Sequence, residues 1–197
     1  SMAGTSGPRD FIELPSQLLE HWVSEPEVLK SFATHYETGE SIPDKLIEKL
    51  SKAAKFNQGF ANTEYLAASL LDMDWHTMSL SEAQKITNNF EKNSMNKIGL
   101  IDEIAPRYRS TYFAHIFSGG YSSGYYSYIH AAVLDSDAFE AFKEVGNVFD
   151  SKLSSKLRKN IYEKGSTEEA MDLYVNFRGR KPIIAPLLKV RGLDGSS

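Results

Sequence analysis

The chain has 197 residues, with 22 Lys and Arg against 26 Asp and Glu, which gives a net charge of -4 at pH 7. A chain of this length can bury enough surface to fold as one domain or two small ones. It has no cysteine, which excludes a thiol nucleophile, a disulfide, Cys-ligated zinc and an iron–sulfur cluster. Because both signs of charge are interspersed, we expect no nucleic-acid partner.

The sequence also argues against a membrane partner. No stretch approaches the roughly 18 apolar residues of a membrane span, and the first ten residues lack the apolar core of a signal peptide. The opening Ser1-Met2 is typical of a cloning remnant. We therefore expect the chain to be an excised piece of a longer protein.

Apolar residues recur at helical spacing along most of the chain, and Gly and Pro fall between the periodic segments. Capping boxes are predicted at Ser81 with Gln84 and at Ser166 with Glu169. No alternating run predicts a β-strand, so we expect an all-α, multi-helix fold in a single domain over 1–197. The pattern predicts helices over about 16–23, 26–36, 43–57, 63–78, 81–95, 121–134, 137–145, 151–164 and 166–179.

The five histidines do not form a zinc-peptidase motif. No two of them lie one helical turn apart and none is followed by Glu, so the H-E-x-x-H helix does not occur in this sequence. The histidines are His21, His35, His76, His115 and His130.

The most unusual segment is 112–128, which holds five tyrosines, one histidine and three glycines. At about 100° per residue, Tyr121, Tyr125 and Tyr128 would share one helix face, and Tyr126 would point away. A neutral phenol is a good hydrogen-bond donor to a developing oxyanion. The spacing alone also fits tyrosines that serve as core or interface aromatics.

Three further residues of this segment have two possible interpretations. Gly119 and Gly120 provide a backbone that can adopt positive φ or let a ligand approach closely, and they would equally serve as a turn before a helix. His115 is either a functional side chain or a structural histidine.

A second segment, 8–17, places Glu13 just before Pro15 at the start of a predicted helix. The N-terminal end of a helix dipole favours a carboxylate. From these residues alone, Glu13 is either a simple helix cap or a functional carboxylate.

Together these segments resemble the thimet oligopeptidase family of zinc metallopeptidases, most closely its peptidyl-dipeptidase branch. The resemblance covers about residues 4–193. Its most specific pieces are 9–17 (RDFIELPSQ), 71–73 (LDM), 106–108 (PRY) and 113–128.

The resemblance implies a zinc ion with Glu13 as its third protein ligand, downstream of an H-E-x-x-H helix that these residues do not contain. We therefore expect the chain to be the C-terminal part of the catalytic domain, inactive without the missing N-terminal part of the same polypeptide. The resemblance also implies that tyrosines and a histidine bind the substrate and stabilise the tetrahedral intermediate. By position in the motif these are the catalytic residues His115, Tyr121 and Tyr128, with Tyr125, Gly119 and Gly120 binding substrate.

The implied substrates are short peptides, and the implied reaction is hydrolysis that releases C-terminal dipeptides, with an endopeptidase as the other possibility. Arg107 and Arg109 are candidates for binding a terminal carboxylate, although surface ion pairs explain them equally well. Relatives are commonly cytoplasmic, so a cytoplasmic location is expected. The alternative function is a non-catalytic helical module that binds peptides or a protein through Tyr121, Tyr125 and Tyr128.

Overall fold

Helices account for nearly all the regular structure of the chain. The computed structural model describes residues 6–195, and within them it has one isolated antiparallel bridge, between Thr34 and Ser41, and no β-strand. The predicted all-α class is confirmed. The α-helices are α1 (Leu14–Val23), α2 (Pro26–Phe32), α3 (Asp44–Ala54), α4 (Gln58–Thr77), α5 (Leu80–Ala83), α6 (Phe90–Lys97), α7 (Ala114–Phe117), α8 (Ser127–Val145), α9 (Ser151–Leu157), α10 (Ala170–Arg178) and α11 (Ala185–Arg191). A 3-10 helix (Ser110–Tyr112) precedes α7, and a π-helix (Arg158–Tyr162) continues α9.

The chain divides into two compact units. The first unit consists of the residues up to Phe56 together with those from Ile129 onward, and the second unit is Asn57–Tyr128. The single domain expected over 1–197 stays a prediction.

The first unit has an aromatic core built around α8. Leu14 and Leu18 of α1 lie one turn apart and are fully buried. Trp22 packs edge-on against Phe139 and Phe142 of α8, with ring centroids 4.7 and 4.9 Å apart. The other buried members of this core include Leu134, Ala138, Leu157, Ile161, Tyr174 and Phe177.

The second unit is organised around α4, the longest helix of the described residues. One part of its core joins Ala67 and Leu71 of α4 to Met95 of α6. The other part joins Ala68 of α4 to the 112–128 segment, which contributes the buried hydrophobic residues Phe113, Ile116 and Tyr125. The aromatic segment is therefore packed directly against α4.

The two helices predicted over 121–134 and 137–145 form one continuous helix, α8, that begins only at Ser127. The break was predicted in a polar run that turns out to be buried: Asp135, Ser136 and Asp137 are at most 4% exposed. Asp135 hydrogen-bonds His21 at 2.7 Å, and Asp137 accepts from Tyr174 at 2.7 Å. These partners let the helix pass through the polar residues without interruption.

Other predicted boundaries were also wrong. The helix predicted over 81–95 is two shorter helices, and the capping box preceding the first is Ser79 with Glu82 instead of Ser81 with Gln84. Glu169 occupies the N-cap of α10, but no side-chain capping bond forms there, so the second predicted box is absent. Helix α11 was not predicted. It has only seven residues, with a proline in its first turn, so its apolar residues are too few to show a helical period.

Candidate active site

The glycine pair produces a tight reversal in the second unit. After the single turn of α7, the amides of Ser118 and Gly119 both donate to the carbonyl of Ala114, at 2.8 and 2.7 Å. The amide of Tyr121 then donates to the carbonyl of His115 at 2.9 Å. Gly120 has φ 78°, in the left-handed region that favours glycine. This reversal brings Tyr121 back beside His115.

Gly119 is required by close backbone packing. A Cβ at this position would lie 3.0 Å from the Cα and carbonyl oxygen of His115 and 3.2 Å from the carbonyl oxygen of Ala114. These are backbone atoms that cannot move independently of the turn, so no side chain fits here without shifting His115.

His115, Tyr121, Tyr125 and Tyr128 form a contiguous group, called here the tyrosine cluster. The Tyr121 and Tyr128 rings stack at 5.2 Å, and Tyr125 meets Tyr128 edge-on at 5.5 Å. The His115 ring lies 6.0, 5.5 and 6.2 Å from the rings of the three tyrosines in sequence order. The structure thus brings these four predicted residues together.

The cluster is not the helix face that the spacing predicted. Tyr121 and Tyr125 lie in consecutive turns before α8, in which the amide of Gly124 donates to the carbonyl of Tyr121 and that of Ser127 to Gly124. Only Tyr128 belongs to the helix. Turns, rather than helical periodicity, therefore place the three phenols together.

The three tyrosines differ in burial. Tyr125 is 3% exposed, whereas Tyr121 and Tyr128 are partly buried. Burial raises the pKa of Tyr125, and the nearby Arg107 opposes this only partly. Tyr125 therefore stays a neutral phenol, while Tyr121 and Tyr128 keep part of their surface available to a ligand.

Sequence reasoning assigned no role to Tyr108, although the 106–108 motif carried part of the family resemblance. Its ring stacks on Phe113 at 5.1 Å and lies 5.0 Å from the ring of His115. Tyr108 therefore forms one side of the environment of His115. The position of the motif was visible in the sequence, but its contact was not.

The segment that carries Tyr108 is held in place by Glu91 of α6. One Glu91 carboxylate oxygen accepts from Arg109 at 2.6 Å, and the other accepts from the amide and hydroxyl of Ser110 at 2.8 and 2.9 Å. Arg107 forms a longer ion pair with Glu64, at 3.4 Å. Both arginines proposed as carboxylate-binding candidates thus have acidic partners within the second unit.

We expect Glu91→Gln to destabilise the second unit in a pH-dependent way. Burial alone would raise the pKa of Glu91, but hydrogen bonds from Arg109 and Ser110 outweigh it and hold the pKa below its usual 4.5. A carboxyl group whose pKa is lower in the folded than in the unfolded state stabilises the fold at pH values above its unfolded-state pKa. This stabilisation is lost as the pH falls through the folded-state pKa. Urea titrations should show a deficit of about 2 kcal/mol at pH 7, shrinking steadily below pH 4.5. A deficit independent of pH would contradict this assignment.

Glu13 lies in the first unit, at the N-cap of α1, as its position before Pro15 predicted. Its side chain makes no capping hydrogen bond to the helix amides. Instead the hydroxyl of Ser16 donates to the Glu13 carboxylate at 3.1 Å. The preceding segment is held by His130 of α8, whose Nδ1 donates to the carbonyl of Asp10 at 2.9 Å.

The residues present do not by themselves fit a zinc site. A catalytic zinc takes three protein ligands, and among residues 6–195 no group of three His, Asp or Glu side chains could hold a metal ion. Glu13 is a single candidate ligand. That Glu13 and the tyrosine cluster belong to one hydrolytic centre stays a prediction.

Comparison with known proteins identifies the family. The sequence model of peptidase family M3 matches residues 1–193. The chain belongs to peptidase family M3. It is similar to the dipeptidyl carboxypeptidases of Escherichia coli and Salmonella typhimurium, at 40% and 42% identity over 195 residues. Oligopeptidase A of Escherichia coli is 36% identical over 201 residues.

Each of these alignments covers 98% of the chain. The chain spans 28% of the length of each of these M3 relatives. The predicted family resemblance is therefore confirmed over nearly the whole chain. Within residues 6–195, no helix combines the length and apolar character needed to cross a bilayer.

Proposed function

We propose that this chain contributes the substrate-binding and oxyanion-stabilising side of an M3 peptidase active site that hydrolyses short peptides. The observation that carries the proposal is that the rings of His115, Tyr121 and Tyr128 lie together, in a chain that belongs to a peptidase family. Partly exposed phenols beside an imidazole provide several hydrogen-bond donors to one small volume, as hydrolysis of a peptide bond requires.

We propose the following roles, which the family resemblance implies and with which the burial of these residues is consistent. Tyr128 and Tyr121 donate hydrogen bonds to the oxyanion of the tetrahedral intermediate, and His115 supports the same region. Tyr125, being buried, shapes the pocket beneath them. Gly119 and Gly120 are proposed to bind substrate through their backbone: the missing side chain of Gly119 allows the tight reversal, and that of Gly120 lets an extended peptide approach closely.

Glu13 is proposed as one zinc ligand of the complete peptidase. Carboxylate oxygens are accepted zinc ligands, and Glu13 lies in the segment 9–17 that carries part of the family resemblance. The H-E-x-x-H pair would have to come from residues outside these 197, so we propose that the isolated chain is inactive. A cytoplasmic location stays a prediction.

Release of C-terminal dipeptides is the proposed reaction. The identity to the two dipeptidyl carboxypeptidases, 40% and 42%, exceeds the 36% identity to Oligopeptidase A. A peptide with a free C-terminus should therefore lose dipeptides to the complete peptidase, while the same peptide with an amidated C-terminus should resist. Internal cleavage of both peptides would favour an endopeptidase.

The purified 197-residue chain should contain well below one equivalent of zinc and should leave both peptides intact. Metal analysis and mass spectrometry of the digests provide the measurements, with the complete peptidase as the positive control. Stoichiometric zinc together with hydrolysis by the chain alone would overturn its proposed inactivity. Peptide binding without hydrolysis by the complete protein would favour the non-catalytic binding module.

A further inference from the structure

A fully buried carboxylate, Asp72, lies on α4 beneath the tyrosine cluster. Its two oxygens accept hydrogen bonds from the backbone amides of Ser123 and Tyr125, each at 2.9 Å. These amides lie 51 and 53 residues further along the chain. Asp72 thus connects the core helix of the second unit to the turns that carry the phenols.

These turns need an external partner. Ser123 has φ 53°, a left-handed conformation that costs free energy for a residue with a side chain. The amides of Ser123 and Tyr125 precede the first turn of α8, so helix formation does not satisfy them. A carboxylate accepts on both oxygens, whereas an amide side chain can accept on only one. An ionised Asp is therefore the side chain that suits both amides.

Side chains of α4 form hydrogen bonds with both the amide and the carbonyl of Tyr125. Asp72 accepts from the Tyr125 amide, and the hydroxyl of Tyr65 donates to the Tyr125 carbonyl. Tyr65 and Asp72 are seven residues apart, which places them two turns apart on one face of the helix. The Tyr65 and Tyr125 rings also lie 5.1 Å apart. One face of α4 therefore fixes both the backbone and the ring of Tyr125.

His76, one turn after Asp72, provides a third donor. Its Nδ1 lies 2.8 Å from the same Asp72 oxygen that accepts from Ser123, and 3.0 Å from the Asp72 carbonyl oxygen. Because both of these atoms are acceptors, Nδ1 carries the proton. Three N–H groups thus surround a carboxylate that has no contact with solvent, and such charge-assisted bonds are stronger than neutral ones.

We propose that Asp72 is a positioning residue for catalysis: by holding the Ser123 and Tyr125 amides, it sets the orientation of Tyr121, Tyr125 and Tyr128. Asp72 touches no reacting atom in this assignment and acts only through the turn. The consequence for hydrolysis rests on the proposed function, but the fixation of the turn does not. The two are therefore tested separately.

The turn is tested in the chain itself with Asp72→Asn. The Asn amide would face one of the two backbone N–H groups, so at least one hydrogen bond to the former carboxylate is lost. Amide hydrogen exchange measured by NMR should accelerate about 10- to 100-fold at Ser123 and Tyr125, and the ring-current shifts of the stacked Tyr121 and Tyr128 should change. Amides in the middle of α8 should keep their exchange rates.

Asp74→Asn is the matched control. Asp74 lies on the same helix but accepts from Ser94 and Lys97, at 2.6 and 3.1 Å, away from the turn. Its replacement should leave exchange at Ser123 and Tyr125 unchanged. If Asp72→Asn does not fold, Tyr65→Phe, which removes one hydroxyl, should still accelerate exchange in the same turn. Unchanged exchange in the folded variants, or an equal increase throughout the second unit, would overturn the proposal.

The catalytic consequence is tested in the complete peptidase. Asp72→Asn should lower kcat about 10- to 100-fold, with little change in KM or zinc content, because the donors are misaligned in the transition state. Asp74→Asn should retain its kcat. A folded Asp72→Asn enzyme with unchanged kcat would overturn the positioning role. If the unsubstituted protein showed no peptidase activity, the proposed function would fail while the exchange data still decided whether Asp72 holds the turn.

Discussion

Replacing Tyr128 with Phe in the complete peptidase should lower kcat by about 100- to 1000-fold, which is the usual effect of removing one oxyanion donor. The change removes a single hydroxyl from a ring that stacks on Tyr121 at 5.2 Å and contacts Tyr125 edge-on. The phenyl ring keeps both contacts, so the fold and the zinc content should not change. Single-turnover kinetics with a free-C-terminal peptide would measure the chemical step directly.

Tyr126→Phe is the control for this experiment. Tyr126 lies two residues earlier, is 41% exposed and is not a member of the tyrosine cluster. Loss of the Tyr126 hydroxyl should change kcat by no more than about twofold, because no contact in the described part of the chain places this hydroxyl near the proposed oxyanion site. Equal loss in both variants would indicate a general effect on the turn. Full activity in Tyr128→Phe would remove Tyr128 from the mechanism.

The composition of the tyrosine cluster could be predicted from the sequence, but its geometry could not. Helical spacing grouped Tyr121, Tyr125 and Tyr128, and the structure groups them too, through turns. Local backbone hydrogen bonds close those turns, but the bonds that fix them against α4 run to Asp72, 51 and 53 residues away. A periodicity argument covers only a few helical turns, so it cannot detect contacts at that separation.

Some helix boundaries could likewise be predicted from local sequence, whereas others depend on contacts between distant residues. The start of α2 at Pro26 and the end of α10 at Gly179, which has φ 84°, were predicted from local chemistry and are confirmed. The sequence-based prediction failed in the middle of α8, where one helix was expected to end at Leu134 and another to begin at Asp137. The partners of Asp135 and Asp137 come from α1, from α10 and from Arg180, just beyond α10. Polar residues inside a helix signal a break only when no distant partner satisfies them.

Asp137 is also the residue of the first unit whose loss should cost the most stability. It is fully buried, and its carboxylate accepts two hydrogen bonds from Arg180, at 2.6 and 3.1 Å, and one from Tyr174 at 2.7 Å. Burial raises the pKa of Tyr174, and the hydrogen bond to Asp137 raises it further, so this phenol remains a donor throughout the ordinary pH range. Arg178 lies alongside, donating to the Asp137 carbonyl at 3.0 Å.

Asp137→Ala should therefore lower the free energy of unfolding by about 3 kcal/mol, because it leaves the buried Tyr174 phenol and Arg180 without their shared acceptor. It also removes the ion pair with Arg178, whose Nε lies 3.4 Å from the carboxylate. Urea denaturation followed by circular dichroism would measure the change. Glu140→Ala, three residues along α8, removes a carboxylate whose partner, Lys189, is largely exposed, and should cost no more than about 1 kcal/mol.

Tyr174→Phe separates the contributions within the network. It removes one neutral donor while both arginines keep the carboxylate, so it should cost about 1 kcal/mol. If Asp137→Ala lowered the free energy of unfolding no more than Glu140→Ala does, the buried carboxylate would not be what stabilises the packing of α8 against α10. If Tyr174→Phe cost as much as Asp137→Ala, the phenol rather than the paired charges would carry the stabilisation.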